Sequence, residues 1–187
     1  MVDRLVPVVK VDYAELVRVK DRILTDQMGP LLQAEINVRF AKGMGWWTAE
    51  QDGDGVNATM FLEGGGKRTT YLENCTLETM FIPKNITTLA LTTKNYSGSI
   101  DAIHKLVIDH THHMSSITMA EDPSGCGCKL IWWPDGLGED VRTIETSCMH
   151  QEIQLALLWC FIEAILKESW FMKLPDAVHT EKELDHA

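Results

Sequence analysis

Between Leu155 and Leu166 the chain is apolar on nearly every face of the helix that its spacing predicts, with only Glu163 interrupting. Such a helix has no face for water and must be buried on several sides. One small sheet cannot hide it. Either the long N-terminal helices cover its far side, or a second copy does; the simplest closed arrangement of the latter is a two-fold homodimer through this C-terminal helix. The strongly apolar run itself, Leu155–Ile162, is far shorter than the roughly 20 residues of a membrane span. Thr146 or Ser147 is expected to cap the helix, which puts Cys148 and His150 in its first turn. Pro175 is expected to end it near Lys173 and leave 176–187 as a polar, frayed tail.

The segment ahead of it mixes two periods. Asp12 precedes a helical pattern over 13–42 that breaks into two helices at Gly29-Pro30. Residues 5–11 form a short β-prone run limited by Pro7. Val56–Glu63, Arg68–Pro83 and Ile86–Thr93 are rich in β-branched and aromatic residues and read as strands, the last two paired through a turn at Pro83–Asn85. Asp52-Gly53-Asp54-Gly55 lacks the acid that would complete a calcium loop and reads as a polar β-turn. Ser99 caps a helix expected over Ile100–Ala120. Cys128–Trp133 and Val141–Thr146 read as further strands. The expected fold is α+β: a mostly antiparallel sheet of four to five strands, packed with a long N-terminal helical segment, a central helix and the buried C-terminal helix. The 187 residues suit one domain, 1–187. Trp46-Trp47 and Trp132-Trp133 are adjacent pairs; in a strand one member faces the core and the other faces out, where it can wall a pocket.

Seventeen basic against 27 acidic residues give a net charge of −10. That argues against nucleic acid and anionic membrane surfaces as partners. No apolar stretch at the N-terminus reads as a secretory signal, so the expected location is cytoplasmic and the five cysteines read as free thiols.

Chemistry concentrates in residues 101–128, which hold His104, His110, His112, His113, Cys126 and Cys128. On the expected helix His110 falls within the apolar stripe of Ile103, Leu106, Val107, Met114 and Ile117, and His113 stands one turn on, while His112 faces water. An i, i+3 histidine pair can converge on one metal ion. The expected metal ligands are His110 and His113, with His150 or Cys126 completing the set, and the ion is one divalent metal: zinc with cysteine, iron or manganese with carboxylates. The alternative is a buried, hydrogen-bonded histidine beside a surface one. The cysteine spacing, CxC, is shorter than the usual zinc-binding CxxC. The expected catalytic residues are His110, Cys126 and His150: without metal, His110 acts as general base with Cys126 or Cys148 as nucleophile. No dinucleotide or phosphate-loop fingerprint is present, so no nucleotide cofactor is expected. The functional expectation is a small-molecule enzyme, a metal-assisted or His/Cys-dependent hydrolase or lyase acting on a small polar metabolite. The alternatives are a non-catalytic ligand-binding or sensor domain, or an oligomer subunit with structural histidines.

Overall fold

A computed structural model describes residues 10–61, 66–138 and 141–182, with side chains as far as Ser169. The β-prone run at 5–11 falls almost wholly outside these residues. The chain forms two compact units, Met1–His110 and Thr111–Ala187, and the architecture is α+β. Among the described residues no helix is long and apolar enough to cross a membrane.

The first unit opens with two helices, α1 (Tyr13–Thr25) and α2 (Pro30–Gly43). Their start signals are those of the sequence. The Asp12 carboxylate accepts the Glu15 amide at 3.0 Å, and Pro30 occupies the first turn of α2, where its missing N–H costs nothing. Helix α1 buries Leu16, Val19 and Ile23, one stripe at three- and four-residue spacing. It also buries Glu15, only 2% exposed, which the Arg39 guanidinium of α2 meets at 2.9 Å. Arg39 in turn lies 3.8 Å from the Phe81 ring centre.

A three-stranded antiparallel meander follows: β1 (Trp47–Asp52), β2 (Gly55–Phe61) and β3 (Lys67–Leu72), in that order. The polar turn expected at Asp52–Gly55 joins β1 to β2. Trp46 and Trp47 are both buried, because Trp46 precedes β1 and escapes strand alternation. Trp46 packs edge-on against Phe40, centroids 5.5 Å apart, and Trp47 donates from its indole nitrogen to the Val38 carbonyl at 2.8 Å.

The strands expected at 68–83 and 86–93 do not pair. β3 ends at Leu72, and Pro83–Ala90 is a helix, α3. Pro83 sits in its first turn, Ile86 and Leu89 bury one face, and the Thr87 and Thr88 hydroxyls bond the carbonyls of Pro83 and Lys84 one turn back at 3.0 and 3.2 Å. Those bonds accommodate β-branched residues whose composition alone favours a strand. The unit closes with α4 (Ile100–His110), half the length expected.

The second unit is another three-stranded antiparallel meander, β4 (Ser115–Asp122), β5 (Gly125–Trp132) and β6 (Ile144–His150), followed by helix α5 (Ile153–Lys182). The fold therefore has two three-stranded sheets in place of one sheet of four to five strands. Helix α5 packs on β5 and β6. Cys128, Leu130 and Trp132 alternate with more exposed neighbours on β5, as do Ile144, Thr146 and Cys148 on β6. The buried Thr146 hydroxyl donates to the Cys160 carbonyl of α5 at 3.0 Å. Leu155, Ala156, Leu157, Leu158, Phe161 and Ile162 are all 0% exposed within the chain. The helical backbone runs through Pro175 to Lys182; the rest of the expected frayed tail, 183–187, lies outside the described residues.

Candidate functional site

Helix α4 begins as the sequence predicts: the Ala102 amide reaches the Ser99 hydroxyl at 3.3 Å, and Ile103 and Val107 are buried. It then stops. His112 and His113 both adopt left-handed backbone, φ 56° and 63°, and are exposed. Two such residues in succession cannot extend a right-handed helix. A turn closed by the Met114 amide on the Thr111 carbonyl at 2.9 Å hands the chain to β4. The helical i, i+3 relation expected between His110 and His113 is therefore absent. His110 is half-buried at the last position of α4, and His104 is exposed. Among the described residues no three His, Cys, Asp or Glu side chains group closely enough to hold a metal ion.

The register of the second sheet brings together two other residues singled out in the sequence. Cys126 on β5 stands directly opposite His150 on β6, and Glu121 on β4 stands opposite Cys126 from the other side. The row Glu121–Cys126–His150 thus crosses the sheet on one face. His150 belongs to β6 and not to the first turn of a helix, since α5 starts only at Ile153. Its Nδ1 accepts the Glu152 backbone amide at 3.0 Å. With that lone pair engaged, the ring's donor is Nε2. Cys126 is half-buried, and its thiol donates to the Gln151 carbonyl at 3.6 Å.

The β4–β5 turn locks this end of the sheet. Asp122 accepts the Ser124 amide at 2.7 Å and the Ser124 hydroxyl, and the hydroxyl and amide of Ser124 hold its carboxyl below the usual range. Gly125 follows at φ +147°, where an added Cβ would lie 3.0 Å from the His150 carbonyl oxygen. The Gln151 side-chain Nε2 donates to the Ser124 carbonyl at 3.4 Å, closing the turn onto the chain after His150.

The next row inward is sulfur. Cys128 and Cys148 are opposite each other, 3% and 9% exposed, and Cys160 of α5 lies against Cys128, its thiol 3.5 Å from the Cys128 carbonyl. Burial, with a smaller contribution from Cys160, pushes the Cys148 thiol up to about 12. The hydrogen bond with Cys128, together with burial, drives Cys160 higher still. Cys148 and Cys160 therefore stay protonated near neutral pH, whereas the hydrogen bond with Cys160 lowers Cys128 despite its burial; all three are shielded, which leaves Cys126 as the accessible thiol of the unit. Glu121 was missed in the sequence because 100–120 read as one helix. No signal in the sequence relates it to Cys126; only the strand register does.

Among the described residues, grooves large enough for a small molecule include two. One, of about 410 Å³, is lined by Thr118, Gly127, Lys129, Ser147 and Met149, which alternate with the buried positions, and also by Cys128 and Cys148. The other, of about 350 Å³, belongs to the first unit and is lined by Lys10, Lys42, Trp47, Thr48 and Met80. Comparison with known proteins finds no matching family model, no similar curated protein and no similar solved structure.

Proposed function

We propose that this chain is an enzyme of the hydrolase or lyase class that uses Cys126 and His150 on a small polar metabolite. The observation that carries the reading is the cross-strand pairing of an accessible thiol with an imidazole whose Nδ1 is held by a backbone amide. In the hydrolytic form, the Cys126 thiolate attacks an acyl carbon, the leaving group departs, and water then cleaves the thioester. The His150 ring supplies an Nε2 hydrogen bond to the thiolate or to the developing oxyanion. It is an electrostatic partner in this scheme, because its basic lone pair is already engaged. His110 has no part in it.

The test is iodoacetamide labelling of the native protein followed by peptide mapping. Cys126 should react well ahead of Cys75, Cys128, Cys148 and Cys160. His150→Gln should slow it by about tenfold, the worth of one hydrogen bond to a charged group. Equal labelling of Cys126 before and after the substitution, in a variant with native circular dichroism, overturns the proposal.

A second reading, ligand binding without catalysis, is favoured by one observation. The groove of the first unit sets Lys10 and Lys42, with the single carboxylate of Asp12 in the same lining, beside Trp47 in a chain of strongly acidic balance. It fits a small organic anion. Quenching of tryptophan fluorescence by an aromatic carboxylate, weakened in Lys42→Met, would support that reading; no saturable quenching would remove it.

A further inference from the structure

We propose that Cys128 and Cys148 form a cross-strand dithiol that closes to a disulfide on exchange with a small-molecule disulfide. This site is separate from the Cys126–His150 pair and does not depend on it. Directly opposed residues of an antiparallel ladder have Cα atoms about 4.5–5.5 Å apart, inside the roughly 4.4–6.8 Å that a disulfide spans. Cys128 and Cys148 are such a pair. Both side chains point to the α5 side of the sheet, as their burial and the contact of Cys160 with Cys128 require. The register alone places the two Cα atoms within disulfide reach, and closure asks the Cys148 thiol to leave the Met149 carbonyl it now meets at 3.6 Å and the Cys128 thiol to leave Cys160.

Access favours Cys148 as the entry point. It sits on β6, an edge strand of the sheet, and keeps 9% exposure, where Cys128 on the central strand keeps 3% and Cys160 none. The Cys148 thiolate attacks one sulfur of the small disulfide, forming a mixed disulfide and releasing one small thiolate. The Cys128 thiolate then attacks the Cys148 sulfur, and the second small thiolate leaves. One external S–S bond is exchanged for one protein S–S bond, and the two protons of the protein thiols leave with the small thiols. Because the Cys148 thiol must ionise first and burial holds it near 12, closure should be slow at neutral pH and quicken by about tenfold per pH unit below that value.

Cys160 is the built-in competitor, since it also touches Cys128. The experiment uses the full chain carrying Cys126→Ser, incubated with oxidised glutathione, then alkylated and digested without reduction. The expected product joins the tryptic peptide containing Cys128 to the one containing Cys148, with the link at Cys148 on fragmentation. Cys148→Ser should abolish it and Cys160→Ser should not. A link to Cys160, a stable glutathione adduct that never closes, or no oxidation of the folded chain under conditions that oxidise the urea-unfolded chain, each overturns the proposal. If Cys126→Ser fails to fold, the unsubstituted chain gives the same answer, because fragmentation distinguishes Cys126 from Cys128.

Discussion

Replacing Gly125 with alanine should destabilise the second unit and disturb the Cys126–His150 row at the same time. Two costs combine. At φ +147° an L side chain is strained, by about 1–3 kcal/mol. The new Cβ would also stand 3.0 Å from the His150 carbonyl oxygen, a backbone atom that cannot swing aside because its strand is paired with Cys126 in the next register position. Together they should remove about 2–4 kcal/mol, a large share of the roughly 5–15 kcal/mol that holds a folded domain. Urea unfolding followed by circular dichroism reads the loss, and Cys126 alkylation reads the disturbance at the row. Gly138→Ala in the same unit is the control. Its backbone lies outside the left-handed region, and among the described residues its Cβ would meet Val141 Cγ2 at 3.8 Å, an ordinary contact. It should be neutral or gain about 0.4–1 kcal/mol by restricting the unfolded chain. The reasoning is refuted if Gly125→Ala unfolds within about 0.5 kcal/mol of the unsubstituted protein, or if the two substitutions shift stability equally.

Three further outcomes follow from other contacts. Arg39→Met leaves the buried Glu15 carboxylate with only the more distant Lys42 and Arg18, at 3.7 and 3.6 Å, and should cost about 2–3 kcal/mol in urea unfolding; combined with Glu15→Gln it should cost clearly less than the sum of the two, and strict additivity would show that the pair is not coupled. Cys148 favours its protonated form more in the folded chain, about 12, than its ordinary 9.0, so it contributes stability that is complete below pH 9 and is lost as pH rises toward 12; the decline in stability measured between pH 9 and 11 should be shallower in Cys148→Ala. Thr146→Val removes the hydroxyl that reaches the Cys160 carbonyl and should cost about 0.5–1.5 kcal/mol, while a gain in stability would mean the bond between β6 and α5 is weaker than its 3.0 Å length implies.

The parts of this fold legible in the sequence are those set by neighbours along the chain. Asp12, the Leu16–Val19–Ile23 spacing and Gly29-Pro30 define α1 and α2 with no help from the rest of the molecule, and the Asp52–Gly55 turn is equally local. The failures occur where two periods fit the same residues. Ile103, Val107, Met114 and Ile117 sit on one helical face, yet Ser115, Ile117 and Met119 also share one face of a strand, and the choice between them was made at His112 and His113, where the backbone turns left-handed. The Ile86–Thr93 segment failed in the opposite sense: its threonines favour a strand by composition, and Pro83 with two back-bonded hydroxyls made it a helix.

The same distinction governs the site. A pair of histidines close in sequence invited a helical metal site, and a single turn dissolved it. Cys126 and His150 were each visible as reactive residue types, but their relation is a property of strand register, which joins positions far apart in sequence and is set by the buried alternation of Cys128, Leu130 and Trp132 against Ile144, Thr146 and Cys148. A slip of one residue in that pairing would send His150 to the opposite face from Cys126. The reactive row is therefore only as specific as the core beneath it, and substitutions that loosen the β5–β6 register should reduce Cys126 reactivity even when they touch neither residue of the pair.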